Sequence, residues 1–302
     1  MEINLNVLDT EKINENSINI DVMDTTSILN TINNEDKKVA LAIEKVIPYI
    51  ENLINLAYEK MLLGGRIIYI GAGTSGRLGV LDASECPPTY GVDPTLVQGI
   101  IAGGYSALLK AKEGAEDSLM LAKEDLININ LNKNDTVIGL AASGRTPYVI
   151  GGLDYANEIG ALTGAISCVN SSEIGKHSNV SIEVIVGAEV VTGSTRMKAG
   201  SAQKMVLNMI STSLMIKLGK VYHNLMVDVQ PTNKKLVERA KNIIVASADC
   251  TMDEASKYLI ESDYNVKLAI CMILTKENKE VCVEILNKAN GNISKAIRYI
   301  KS

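Results

Sequence analysis

Arg66-Ile67-Ile68-Tyr69-Ile70-Gly71-Ala72-Gly73-Thr74-Ser75-Gly76 decides the fold. A short apolar run is stopped by three glycines within six positions, and helical periodicity follows. Apolar runs of this length bounded by glycine read as fully buried strands, and glycine supplies the tight turn that reverses the chain into a helix. The same unit recurs downstream. Val97-Gln98-Gly99-Ile100-Ile101-Ala102 runs into Gly103-Gly104, Thr136-Val137-Ile138-Gly139-Leu140-Ala141-Ala142 into Ser143-Gly144-Arg145-Thr146, and Leu162-Thr163-Gly164-Ala165-Ile166-Ser167 into Val169-Asn170-Ser171. A fifth run, Ile182 to Val186, leads to Thr192-Gly193-Ser194-Thr195-Arg196. Helical stretches at 105–126 and 147–159 separate them. Strands alternating with helices imply right-handed crossovers and a parallel sheet. Ligands of such sheets bind beyond the carboxyl ends of the strands, where these turns sit.

Upstream, residues 1–33 lack a sustained period and are expected to form an extended arm. Apolar residues from Val39 to Leu56 then recur at three- and four-residue spacing until Gly64-Gly65. Downstream, a helical run follows Met197, and from Asn233 the chain is helical with charges interspersed. Residues 236–302 are expected to be a small all-α module, leaving 1–235 as the α/β domain with its N-terminal arm and helix.

The 302 residues carry a formal charge of −5, with 46% hydrophobic residues and neither Trp nor Phe. An aliphatic core suits buried parallel strands. An acidic chain without a basic stripe argues against nucleic acid as partner. Five scattered cysteines with no C-x-x-C pair read as reduced thiols. No apolar run nears the ~20 residues that span a bilayer, and the start lacks a basic stretch followed by an apolar one. A soluble, cytoplasmic protein is expected, without membrane partners.

Gly71, Gly73 and Gly76 have the dinucleotide-binding spacing, but that reading needs an acid at the end of the second strand, and Ile101-Ala102-Gly103-Gly104 has none. The third turn reads better. Thr146 suits a helix N-cap and Pro147 the first helical position, so free N–H groups are expected to face the turn. With the Ser143 and Thr146 hydroxyls and the Arg145 cation, they suit a phosphate monoester. A plain capped turn is the competing reading.

Two acids stand out. Glu85 precedes Pro87-Pro88, which are expected to end its helix, and the dipole there would push its pKa up, as a proton donor requires. Glu116 follows Gly114 at an expected helix restart, which would hold its pKa down, as a base requires. Glu113, Asp117 and Asp82 compete, and both glutamates also read as ordinary surface acids. His177 and His223 have no ligand-spaced partners, so no metal is expected. Ser75 lacks both G-x-S-x-G context and a paired His. Lys198, in Thr195-Arg196-Met197-Lys198-Ala199-Gly200, reads equally as a ligand contact or a solvated helix start.

These motifs resemble a known family. Gly71 to Gly79 with Asp82-Ala83-Ser84-Glu85-Cys86-Pro87-Pro88-Thr89 is similar to the signature of N-acetylmuramic acid 6-phosphate etherases. Glu113 to Asp117, Ala142 to Tyr148, Thr192 to Gly200 and Asn224 to Val229 match as well, so the resemblance covers nearly the whole chain. It implies an α/β fold of the sugar isomerase (SIS) type, a three-layer αβα sandwich here with a five-stranded parallel sheet, then a helical module similar to a ubiquitin-associated domain. It also implies a homodimeric lyase without cofactor, cleaving the D-lactyl ether of N-acetylmuramic acid 6-phosphate in cell-wall recycling. The family's proton donor falls on Glu85 and its second catalytic glutamate on Glu116. Substrate contacts are expected from Thr74, Ser75, Ser143, Gly144, Arg145, Thr146 and Lys198. A sugar-phosphate isomerase or a non-catalytic sugar-phosphate sensor on the same fold is the alternative. The sequence departs from the family pattern at His223, where a small residue such as Gly is expected, and at Tyr90, where Phe is usual.

Overall fold

The computed structural model describes residues 11–110, 112–229, 231 and 233–301. Five strands form one sheet: β1 (Ile67–Gly71), β2 (Val97–Ile101), β3 (Thr136–Leu140), β4 (Leu162–Ser167) and β5 (Val180–Glu183). All neighbours are parallel, in the order β2-β1-β3-β4-β5. β1, β3 and β4 are buried throughout, as near-continuous apolar runs require. The strand order reverses between β1 and β3. Gly71 pairs with both Ile101 and Leu140, so the turns after β1 and β3 emerge level with each other at this switch point.

Helices cover both faces. On one side Ile68, Ile70 and Val137 pack with Leu126 of α4 (Leu121–Asn128) and with Val149 and Leu153 of α5 (Pro147–Ile159). Tyr69 points the other way, as strand alternation dictates, toward Gly79 of α3 (Gly73–Tyr90). Gly164 on that face lies against Leu53 of α2 (Ile47–Leu62). The short α6 (Glu173–Lys176) precedes β5, and α7 (Lys198–Lys217) follows it. The architecture is the expected αβα sandwich.

Four local expectations are corrected. Within the described part of 1–33 the chain is not an extended arm. Two single 3-10 turns, Glu15–Ser17 and Ile20–Val22, lead into α1 (Thr25–Glu44). Asp24 caps that helix by accepting the Ser27 N–H, a start signal earlier than the apolar period. The segment docks on its own chain: Asn14 Nδ2 donates to the Ala188 carbonyl and the Ser17 hydroxyl to that of Val190. The stretch 105–126 is not one helix. A 3-10 turn at Tyr105–Leu108 gives way to turns around Gly114 (φ +75°) before α4. The fifth strand is Val180–Glu183 rather than 182–186. Finally, α3 runs through Pro87 and Pro88 and ends at Gly91 (φ +63°), whose N–H reaches the Pro87 carbonyl.

The chain forms two compact units, one holding the sheet and the other Cys86–Asp93 with the chain from Thr212 onward. The units part between Ser211 and Thr212, inside α7, whereas sequence character changes at 235/236. The second unit takes in the hairpin β6 (Val221–Tyr222) and β7 (Leu225–Met226), because Tyr222, Val227 and Val229 belong to its core. Its helices are α8 (Lys234–Ala248), α9 (Met252–Glu261), α10 (Val266–Thr275), α11 (Lys279–Lys288) and α12 (Ile293–Lys301). Asn233, Thr251, Asn265 and Asn278 cap the first four through their side chains. The apolar α10 is the central helix of that core.

Candidate functional site

The turn after β1 is built around backbone contact. A Cβ on Gly76 would lie 2.5 Å from the Gly71 carbonyl oxygen, and one on Gly71 2.9 Å from the Gly76 nitrogen, so both positions require glycine. Ser75 turns inward and donates its hydroxyl to Gln203 Oε1 at 2.9 Å. Thr74 approaches Gly200 at the start of α7. Further along α3, Asp82 accepts from Asn208 Nδ2 (2.7 Å) and the Ser211 hydroxyl. Burial pushes the Asp82 carboxyl up, against the downward pull of those hydrogen bonds. Gln203, Asn208 and Ser211 occupy one side of α7 and hold α3 in a polar seam. The seam was not read from sequence because its partners lie more than a hundred residues apart.

The turn after β3 packs equally tightly. Gly144 adopts φ +69°, and a Cβ there would lie 2.6 Å from that of Ser172. Thr146 is the N-cap of α5 by position, but its side chain makes no cap hydrogen bond. The expected free N–H groups are engaged: Pro147 has none, Val149 N donates to the Thr146 carbonyl, and Tyr148 N donates to the Glu116 carbonyl at 2.9 Å. An anion at this turn is therefore left with the Ser143 and Thr146 hydroxyls, the half-buried Arg145 and the turn's own amides. Arg145 Nε is buried without a partner among the described residues. The Tyr148–Glu116 bond ties the Glu116 loop to this turn.

On its other side the Glu116 loop forms a cleft of about 180 Å³ with the glycine turn, lined by Ala72, Gly73, Arg77, Lys112, Glu113 and Glu116 among others. Arg77 reaches from α3 across the cleft. Its Nε donates to the Leu108 carbonyl (2.8 Å) and its Nη2 to that of Ala107 (2.7 Å).

Glu85 is exposed and stands twelve residues beyond Gly73 on α3, about 18 Å along the axis. Glu85 is not among the residues that line the Glu116 cleft. Because α3 continues to Tyr90, the expectation that Glu85 sits at a helix end, with the dipole argument drawn from it, is corrected. Glu116 likewise lies in a turn ahead of α4, not at a helix restart.

Lys198 is not a solvated helix start, and its ammonium is engaged within the chain. It is 1% exposed, and its ammonium is 2.6 Å from Glu35 of α1, itself 3% exposed. Burial acts to raise the Glu35 carboxyl, but hydrogen bonds from Lys198, Lys38 and Asn16 and the Lys198 charge outweigh it and hold it at about 2. The first N–H groups of α7, on Lys198 and Ala199, are taken by the buried Glu189 carboxylate at 2.9 Å. Among the described residues no three His, Cys, Asp or Glu converge as a metal site, and His177 faces Asp154 and Glu173 near the surface. No helix among them is long and apolar enough to cross a membrane.

The sheet, its switch-point turns and the cleft between them define an SIS-domain protein. The sequence matches the glucokinase regulatory protein N-terminal SIS domain over residues 45–157, the SIS domain over 120–213, and the C-terminal lid domain of glucokinase regulatory protein over 223–292. A phosphoheptose isomerase from Francisella tularensis shares the fold, with a TM-score of 0.50 at 11% identity over 64% of this chain and all of that one. The chain is 74% identical to an N-acetylmuramic acid 6-phosphate etherase of Clostridium botulinum strain Eklund 17B, over 97% of each chain. It is 59% identical to one of Clostridium beijerinckii, over 99% of this chain and 98% of that one. It belongs to the N-acetylmuramic acid 6-phosphate etherase family.

Proposed function

We propose that this protein is a carbon–oxygen lyase that converts N-acetylmuramic acid 6-phosphate and water to N-acetylglucosamine 6-phosphate and D-lactate, in the catabolism of recycled cell-wall sugar. The observation that carries the reading is identity of 74% to an etherase over 97% of the chain, together with a glutamate in the cleft beside the glycine turn.

In the open-chain sugar the C2 proton is α to the aldehyde. Glu116 removes it, giving an enolate. The C3 ether oxygen is a poor leaving group until protonated, and Glu85 supplies that proton as the C3–O bond breaks. D-lactate leaves, an unsaturated aldehyde remains, water adds at C3 with Glu85 returning as base, and Glu116 returns a proton to C2. Positioned acid–base groups of this kind contribute about 10²–10⁴-fold each. Ser143, Gly144, Arg145 and Thr146 hold the phosphate away from the reacting carbons, and Thr74 contacts the sugar beside the glycine turn, which Ser75 braces from within through Gln203. Binding there orients the sugar without taking part in the chemistry. The reaction as written requires no metal or organic cofactor.

The cleft that holds Glu116 is lined without Glu85, which supports a homodimer in which a second copy offers its Glu85 to the cleft. A cytoplasmic location fits a phosphorylated sugar as substrate.

Incubation with N-acetylmuramic acid 6-phosphate should release D-lactate stoichiometrically with N-acetylglucosamine 6-phosphate. Folded protein that releases none sinks the reading, and turnover of sugar phosphate without lactate points to an isomerase. Glu85→Gln should lower lactate release by at least about 10²-fold, and Glu116→Gln should in addition stop exchange of the C2 proton with deuterium. Normal exchange in Glu116→Gln removes Glu116 as the base.

A further inference from the structure

The proposed substrate carries two anions, a phosphate at C6 and the carboxylate of the lactyl ether. Only the second distinguishes it from its product and from other sugar phosphates. The lactyl carbon bearing the carboxylate is bonded to the C3 oxygen, and C3 adjoins C2, where Glu116 acts. Whatever recognises that carboxylate must therefore lie within one cleft-width of Glu116. A carboxylate entering beside Glu113 and Glu116 without a cation would also meet two like charges.

Two cations line this cleft, Arg77 and Lys112. Arg77 is half-buried, and only neutral carbonyls hold it, those of Ala107 and Leu108. Neither Arg77 nor Lys112 has an acidic partner among the described residues. The two carbonyls use one donor on Nε and one on Nη2. Of the five N–H groups on a guanidinium, three are left, together with the whole of its charge. A guanidinium fixed in place and electrostatically unspent is suited to a planar carboxylate, which it can take through two parallel bonds. Lys112 adds a second charge from the facing loop. Its stem lies across Gly103 (φ +86°), where a Cβ would come within 2.9 Å of Lys112 Cδ.

We propose that Arg77, assisted by Lys112, binds the lactyl carboxylate and is the residue by which the site selects a lactyl ether over other sugar phosphates. The proposal rests on the etherase reading of the same cleft. It also gives Arg77 a second effect, since the guanidinium bonds order the loop that leads to Glu116.

The test compares dissociation constants and kcat/KM for three ligands: N-acetylmuramic acid 6-phosphate, its neutral lactamide analogue, and N-acetylglucosamine 6-phosphate. Wild type should bind the acid about 10–100-fold more tightly than the lactamide, the worth of a charge-assisted pair. Arg77→Met should lose that preference while its affinity for N-acetylglucosamine 6-phosphate changes less than about twofold. Lys112→Met, which disturbs no backbone bond, should lose a smaller part, and Arg77→Lys should recover some of it. Equal binding of acid and lactamide by wild type overturns the proposal without any variant being folded. A parallel loss of all three ligands in Arg77→Met also overturns it, assigning Arg77 to the phosphate or to the loop alone. Absence of lactate release overturns the etherase reading separately, and the three dissociation constants still decide the role of Arg77.

Discussion

The two ends of the parallel sheet treat their arginines in opposite ways. At the amino end, Arg66 immediately precedes β1 and its charge is paired. Its Nε and Nη2 meet the two oxygens of Asp135 at 3.0 and 2.7 Å, and its backbone N–H reaches the same carboxylate. Two further guanidinium donors reach the carbonyls of Ile129 and Asn130. The hydrogen bond to Asp135, against the opposing effect of burial, raises the Arg66 pKa, so this cation is committed. At the carboxyl end, Arg77 has two carbonyls and no acid among the described residues. A fold that needs only stability pairs its half-buried cations, as the amino end does. An unpaired one, held rigid beside a cleft, is kept for an anion that comes and goes.

Lys198 sharpens the contrast, because it sits toward the same end as Arg77 and behaves like Arg66. Glu35 takes its charge in a pair almost wholly out of solvent. Proximity to the carboxyl end therefore does not by itself leave a cation available.

The largest effect should come from breaking the amino end. Asp135→Ala leaves Arg66 without its acid and strips bonds from Asn132 as well, so it should cost about 3–5 kcal/mol in chemical denaturation. The remaining folded enzyme should keep its acid-over-lactamide preference. Loss of that preference would mean the two ends are not independent. Lys198→Met should cost about 3 kcal/mol near neutral pH, since Glu35 keeps Lys38 and Asn16. The sign with pH follows from the Glu35 carboxyl, which the fold holds at about 2 against an ordinary 4.5. Its contribution is complete above about 4.5 and is lost as pH falls toward 2, so the gap between wild type and Lys198→Met should narrow over that window. A gap constant with pH would assign the loss to packing alone. Replacing both partners, Glu35→Leu with Lys198→Met, should recover most of the stability.

The smallest effect concerns the hairpin of the second unit, far in sequence from either end. His223 adopts φ +54°, a backbone region that costs a side chain with a Cβ and costs glycine little. His223→Gly should be neutral or stabilising by less than about 1 kcal/mol, with kcat/KM unchanged. That turn is the physical reason a small residue such as Gly is expected at this position, and nothing in the structure explains the His.

Much of the fold was legible because it is encoded locally. A run such as Ile67 to Ile70 ended by Gly71 and Gly73 can be read as a strand and turn without knowing its neighbours. The cap at Asp24 was also local and available in Asp24-Thr25-Thr26-Ser27, ahead of the apolar period that drew attention to Asn34 and beyond. Pro87 and Pro88 misled, because a proline's cost to a helix interior is offset here by the remainder of the turn and by Gly91. Of the candidate site, the glycine turn, the Ser143–Thr146 turn and Glu116 are legible in the sequence, and the structure joins the last two through the Tyr148 N–H. Arg77 lies within the Gly71–Gly79 motif, but nothing in its neighbours along the chain marks it as facing a cleft.

The sequence by itself determined the order of strands and turns, the glycines that no other residue can replace, and the family to which the chain belongs. These depend on neighbours in the chain and on patterns that persist along it. Only the tertiary structure decided which charges remain unspent. Lys198 and Glu35 lie 163 positions apart, and Arg66 and Asp135 lie 69 apart, yet each pair meets within 3 Å. Coulomb attraction and desolvation act on distance in space, so no local reading of Lys198 or Arg77 could show that the first is neutralised and the second is not.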